Sequence, residues 1–285
     1  MKEEKDEEFD YIGGCTLDDK TKRELKKVTD DFFERPIEKA ENFDWEEFKR
    51  NETFKAIMMP SELFWILANF ERSFTQKLGE QMYEKFAKAV ANANDDIGDA
   101  ETQYELIGKR LTNEQENIIE DIISGLDNRD RDPDWEKEKK EVKEVSLDKP
   151  TKSTGKITWD LWIKDFSNGR PLAVEIKTPK PNKDQSMESK RQMLKTVAVY
   201  EHEDEPCPIV RFVFPFNPYG DLADYGHWPP QSIFNVTEGD GMLVGKEFWD
   251  SIGGEGTREG LYNFLLEESG DNIEKLERLA GDSEL

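Results

Sequence analysis

The chain has 285 residues, enough for one large domain or two modest ones, and is 35% hydrophobic and 36% charged. No run approaches the roughly 20 apolar residues of a membrane span. The opening MKEEKDEEFD lacks the apolar core of a signal peptide, and Cys15 and Cys207 stand isolated, so neither a disulfide framework nor a zinc knuckle is indicated and a cytoplasmic protein is expected.

Residues 1–69 read as an acidic, helical N-terminal segment, with a helix over Thr21–Glu34 and an aromatic patch at Phe43, Trp45 and Phe48. From Phe70 to Ala93, the residues Phe74, Leu78, Met82, Phe86, Ala89, Val90 and Ala93 recur at helical spacing. Glu80 and Glu84 fall beside or behind that stripe, where a solvated carboxylate is the ordinary outcome and a metal ligand the rarer one. Leu106–Leu126 reads as a helix pair ending at Gly125. Residues 127–155 are almost wholly polar and read as a solvated excursion, with Trp135–Val145 as an exposed helix carrying Glu/Lys pairs.

Next come two apolar runs, Ile157–Ile163 and Leu172–Lys177, joined through Asn168-Gly169, the strongest short-range hairpin signal. Side chains alternate along a strand, so Ala173, Glu175 and Lys177 share one face. A two-residue type I′ turn would pair Ser167 with Arg170, place Asp160 opposite Lys177, and make Glu175 the diagonal neighbour of Asp160 on the same face. A bulge or a longer loop would shift that register. Beyond the strand, Thr178-Pro179-Lys180-Pro181 cannot continue a ladder, because proline has no donor. A helix then starts near Asp184 or Ser186, with Met187, Leu194, Val197 and Ala198 inward and Lys183, Lys190 and Arg191 on its outer side. Ile209–Phe214 is a further core strand. Gly253-Gly254-Glu255-Gly256 is a loop between helices, since no Lys-Ser/Thr follows it as in a phosphate cradle. His202 and His227 lack ligand spacing. Residues 266–285 read as a helical tail, leaving 70–265 as the core.

Glu-x-Lys occurs seven times, but only the copy at Glu175 lies in an apolar strand with an acid on the facing hairpin arm. Two carboxylates and a lysine at one spot suit a hard divalent cation, which prefers oxygen ligands and tolerates substrate phosphate in its shell. Such a cation would polarise a phosphoryl oxygen and acidify a bound water, with Lys177 (its pKa depressed by the cation) beside that water. The bland reading is a solvated cross-strand Asp160–Lys177 ion pair.

A net charge of −24 weighs against a polyanion partner, but the charge is uneven. From Lys149 to Lys195 there are 11 Lys/Arg and 5 Asp/Glu, a local balance of +6, so the remainder carries −30. A basic strip on an acidic body is what a polyanion-binding cleft looks like from sequence. The contrary reading, an acidic binding protein or DNA mimic, has no use for such a strip.

The order helix, strand, strand, helix, strand predicts an α/β fold around a mixed central sheet flanked by helices. Asp160 with Glu175-Ile176-Lys177 in that order resembles the PD-(D/E)XK nucleases, and implies their restriction-endonuclease-like core. The longer pattern is similar to type II restriction endonucleases that cut at GGNCC. It comprises Ser73-Phe74-Thr75-x-x-Leu78-Gly79, Glu175-Ile176-Lys177-Thr178-x-Lys180-Pro181-Asn182, Asn217-Pro218-Tyr219-Gly220 and Glu247-Phe248-Trp249-Asp250-x-Ile252-Gly253-Gly254. The resemblance implies a Mg²⁺-dependent homodimer acting on a palindrome in double-stranded DNA, paired with a methyltransferase of the same specificity. It further implies Asp160 and Glu175 as metal ligands, Glu84 as the helix carboxylate, and Lys177 beside the nucleophilic water. Lys180, Asn182, Lys183 and Arg191 follow the active strand closely and are the candidates for DNA contact. A repair or structure-specific nuclease on the same fold is the neighbouring alternative.

Overall fold

The structure is a computed structural model that describes residues 17–146, 150–203, 205–220, 222–236, 241–268, 270 and 274. The acidic N-terminal decapeptide, Cys15 and most of the 266–285 tail lie outside these residues. The chain forms two compact units, one from Ala87–Arg258 and one from Leu17–Phe86 with the chain from Glu259 onward.

The second unit is helical. Helix α1 (Asp19–Glu41) starts where the Asp18 carboxylate accepts the Thr21 N–H at 2.7 Å, filling one of the orphan donors of a helix start. It buries Leu25, Phe32, Ile37 and Ala40 at helical spacing, and runs past the predicted end at Glu34 through Pro36. Short helices α2 (Trp45–Asn51) and α3 (Thr53–Met58) follow, with the expected aromatic patch formed by Trp45 stacked on Phe48. Helix α4 (Glu62–Lys77) begins after Pro60 with Ser61 as its cap, and Phe74 meets Phe32 edge-on at 4.8 Å. The helix predicted over Phe70–Ala93 is one path in two pieces: a π-turn at Leu78–Met82, containing Gly79, separates α4 from α5 (Tyr83–Ala93).

The α/β unit carries a five-stranded mixed sheet. Strand β1 (Ala100–Leu106) and the small strand β2 (Arg110–Thr112) come first. Helix α6 (Asn113–Asn128) opens on a capping box, in which Thr112 accepts from the Gln115 N–H and Gln115 accepts from the Thr112 N–H. These elements replace the helix pair predicted over Leu106–Leu126. β1 is an edge strand with half its face in solvent, so AETQYEL carries little apolar alternation to announce it. Helix α7 (Trp135–Lys143) falls inside the segment read as a solvated excursion, yet Trp135, Glu138 and Val142, spaced three and four apart, are fully buried. Its opposite face carries the Glu/Lys pairs.

Strands β3 (Thr151–Ser153), β4 (Ile157–Ser167) and β5 (Arg170–Ile176) follow, then helix α8 (Lys183–Glu203), strand β6 (Ile209–Phe214), a short helix α9 (Trp228–Gln231), strand β7 (Met242–Val244) and helix α10 (Lys246–Gly253). The sheet order is β1-β4-β5-β6-β7. The β1/β4 and β4/β5 pairs are antiparallel, and the β5/β6 and β6/β7 pairs are parallel. The parallel β5/β6 pair is made possible by the α8 crossover between them. A core of Ile119, Ile122, Trp135, Val142, Trp162, Met193, Val197, Phe212 and Phe234 fuses α6, α7 and α8 to the sheet. Helix α11 (Thr257–Glu268) ends the described elements, and its Glu268 pairs with Lys26 within the helical unit.

Candidate active site

The hairpin that carries the candidate residues turns as the sequence predicts. Asn168 and Gly169 have φ of 51° and 74°, the two left-handed residues of a type I′ turn, and Ser167 pairs with Arg170. By Ile163, four residues back along β4, the predicted register has failed. Ile163 pairs with Leu172, Trp162 with Ala173 and Leu161 with Val174, so the ladder has slipped by two. Lys164, Asp165 and Phe166 on β4 face Pro171 alone on β5, and Pro171 cannot donate to a ladder. Continued by one residue, this register sets Asp160 across from Glu175 rather than Lys177. A slip of one would have turned every side chain to the other face, whereas a slip of two keeps Asp160 and Glu175 together.

Beyond Leu161 and Val174 the two strands part. The Ile176 N–H donates to Asp160 Oδ2 at 2.7 Å, and the Lys177 N–H donates to the Val213 carbonyl on β6. Lys177 Nζ lies 2.5 Å from Glu175 Oε1 and 3.5 Å from Asp160 Oδ2. The ammonium therefore bridges both carboxylates instead of forming a solvated pair with one of them. Burial and then the neighbouring Asp160 charge push Glu175 up to about 7, against which Lys177 and the Gln192 hydrogen bond pull it down. For Lys177, burial lowers the pKa but the two carboxylates outweigh it, so the ammonium is held above its ordinary value. That direction belongs to the metal-free site; the depression expected beside a cation is a property of the metal-bound one.

Two residues that the sequence did not single out touch the acids. Gln192 on α8 donates to Glu175 Oε2 at 3.1 Å and to the Thr158 carbonyl at 2.7 Å. Gln103 on β1 donates to Asp160 Oδ1 at 3.2 Å. Gln192 had no clear signal, since five residues of helix set it about 140° around the axis from the inward Val197. Gln103 had none, because its strand was not recognised.

Chemically, the donor set fits a hard divalent cation. Two largely buried carboxylates share one ammonium, and burial beside Asp160 raises the pKa of Glu175, so further positive charge would favour its ionised form. Among the described residues no group of three or more His, Cys, Asp or Glu could hold a metal ion, so the site brings together two acids. Glu84, implied as a further carboxylate, belongs to α5 in the helical unit and is buried, not solvated.

The DNA-contact candidates differ in how far they are committed. Lys190, placed on the outer side of α8 in sequence, is instead fully buried and pairs with Glu138 at 2.6 Å under the rings of Phe234 and Trp135. Arg191 is held by Glu120 and Glu188, and Lys183 pairs with Asp127. The Asn182 side-chain oxygen caps α8 by accepting the Gln185 N–H at 2.8 Å. Lys180 is exposed, its ammonium 5.6 Å from the Tyr219 ring. The basic strip is thus largely neutralised by acids from elsewhere in the chain. Exposed pairs of this kind are worth little, so a phosphate can replace the acid at small cost.

Residues 16–268 match the model of the type II restriction endonuclease family HinfI. The chain belongs to that family. It is also similar to the type II restriction enzymes HgiCII and HgiEI of Herpetosiphon aurantiacus, at 27% and 26% identity over 217 residues, covering 75% of this chain and 74% of each relative. A third enzyme from the same organism, HgiBI, matches over the same span at 26% identity. No solved structure matches the chain. Membership of the HinfI family makes DNA the substrate class and site-specific cleavage the activity. The α/β unit with its mixed, helix-flanked sheet agrees with a restriction-endonuclease-like core, and no described helix is long and apolar enough to cross a membrane.

Proposed function

We propose that this chain hydrolyses phosphodiester bonds in both strands of DNA at a short palindrome, with Asp160, Glu175 and Lys177 as the catalytic set of a PD-(D/E)XK nuclease. The observation that carries the reading is one ammonium bridging two largely buried carboxylates at the point where β4 and β5 part. Asp160 and Glu175 would hold Mg²⁺, and Glu84 is carried over from the resemblance as a third carboxylate. When bound, the ion supplies Lewis acidity toward the phosphoryl oxygen and a more acidic water. The chain's own residues do the rest. The Ile176 N–H and the Gln103 amide fix Asp160, Gln192 orients Glu175, and Lys177 is positioned to hold the attacking water and offset charge on the phosphate.

One such site per chain and two strands to cut call for two copies, so a homodimer on a palindrome is the natural assembly. The sequence blocks that resemble GGNCC-cutting enzymes make GGNCC the target to test first. A cytoplasmic location and a methyltransferase protecting the same site complete the proposal. Lys180, Asn182, Lys183 and Arg191, which follow the active strand in sequence, are proposed for backbone or base contact.

The test is incubation of purified protein with unmethylated phage DNA and Mg²⁺, followed by sequencing of the ends. Discrete fragments sharing one palindrome support the proposal. Structure-dependent nicking would move the chain to the repair class, and no cleavage at any Mg²⁺ concentration would overturn it. Within the set, Glu84→Gln raises the Mg²⁺ requirement for cleavage if Glu84 is a ligand, and leaves it unchanged if that residue only packs.

A further inference from the structure

Gln103 stands out on the α/β unit by its backbone. Its φ of 53° is left-handed, in the middle of a strand and in a residue type that rarely adopts it. A bulge would be the ordinary cause, but the β1/β4 register is the same on both sides. Thr102 pairs with Leu161 and Tyr104 with Trp159, so no residue is inserted. Only Gln103 drops out of the ladder, at the position across from Asp160. Strain of this kind persists where surrounding structure fixes it, and it clusters at functional sites.

The strained residue touches the proposed metal ligand. Asp160 Oδ2 accepts the Ile176 N–H at 2.7 Å from β5, and Asp160 Oδ1 accepts Gln103 Nε2 at 3.2 Å from β1. Two donors on opposite flanking strands fix the plane of the carboxylate. Oδ1 retains a second lone pair for a cation, and Oδ2 also faces the Lys177 ammonium at 3.5 Å. The Ile176 N–H and the Lys177 ammonium both act on Oδ2, so without Gln103 the carboxylate could rotate about that one oxygen. Outer partners of this sort set the orientation, and hence the affinity, of a metal-ligating group.

We infer that Gln103 is a positioning residue for metal binding: its left-handed backbone is retained because it delivers the side-chain amide to Asp160. The inference rests on Asp160 being a metal ligand, as proposed above.

The experiment uses the full chain without DNA and reads Mn²⁺ binding by calorimetry, together with the melting temperature of the metal-free protein. Gln103→Gly removes the amide while relieving the backbone, since glycine accepts a positive φ. Gln103→Asn keeps an amide on a residue tolerant of that backbone but one methylene short of Asp160. Both variants are expected to melt at or above the parent while their Mn²⁺ dissociation constant rises about tenfold. A purely structural role would instead lower the melting temperature and leave Mn²⁺ affinity unchanged. Titrations run well below every midpoint keep the binding result decisive even if a variant melts early. Q103G binding Mn²⁺ within about twofold of the parent overturns the inference. Asp160→Ala separates the two readings. If D160A abolishes Mn²⁺ binding while Q103G does not, only Gln103 is misassigned. If D160A binds as the parent does, the metal-ligand assignment itself falls.

Discussion

The Lys190–Glu138 pair gives the sharpest prediction about stability. Both side chains are completely buried, 2.6 Å apart, and the ammonium sits 4.5 Å from the Phe234 ring and 5.2 Å from that of Trp135. Removing one charge strands the other in the core, which costs about 3–5 kcal/mol. Glu138→Gln should fall at the lower end, near 3 kcal/mol, because the two rings retain part of the attraction for the ammonium. Lys190→Met should cost more, since it leaves a buried carboxylate beside aromatic faces. The double variant Glu138→Leu with Lys190→Met removes both charges at similar volume, and is expected within about 1 kcal/mol of the parent. The assay is urea unfolding followed by the fluorescence of Trp135 and its neighbours, with the coupling energy taken from the cycle. Single variants as mild as the double would refute the claim that this pair is a committed part of the core.

Three further outcomes follow from the site and its basic neighbours. Glu175 has its folded pKa raised from 4.5 to about 7, so its stabilising contribution is complete below the unfolded value and is lost as pH rises through the folded one. Metal-free protein should therefore lose up to roughly 3 kcal/mol between pH 4.5 and 7, a slope that Glu175→Gln flattens in thermal melts across that range. A metal-free profile identical in parent and variant would contradict the raised value. Lys180→Ala should weaken DNA binding about equally on specific and random sequences and reduce the salt slope by about one, measured by anisotropy in a salt series. Arg191→Ala, whose charge is already matched by Glu120 and Glu188, should do less.

What the sequence made legible was local. Asn168-Gly169 dictated a turn, alternation dictated the shared face of Asp160 and Glu175, and a slip of two residues left that face intact. The slip itself had a visible cause in Pro171, which the hairpin arithmetic ignored. Lys190 carried a signal too. It stands three residues after Met187 and four before Leu194, on the inner face of its helix, but a lysine there needs a buried acid. Glu138 is 52 residues away in a segment read as solvated. β1 and Gln103 were out of reach, because an edge strand with one wet face alternates weakly and a positive φ at glutamine leaves no mark in sequence.

The central claim is that Asp160, Glu175 and Lys177 form one cleavage site. It is tested most directly by single-turnover cleavage of a bound target duplex by the parent and by Asp160→Ala, Glu175→Ala and Lys177→Ala, with folding and DNA affinity measured alongside. The account predicts that each variant folds and binds DNA yet cuts at least a thousandfold more slowly, on the order of a lost electrostatic catalytic group. Cleavage at the parental rate by any one of the three would contradict it.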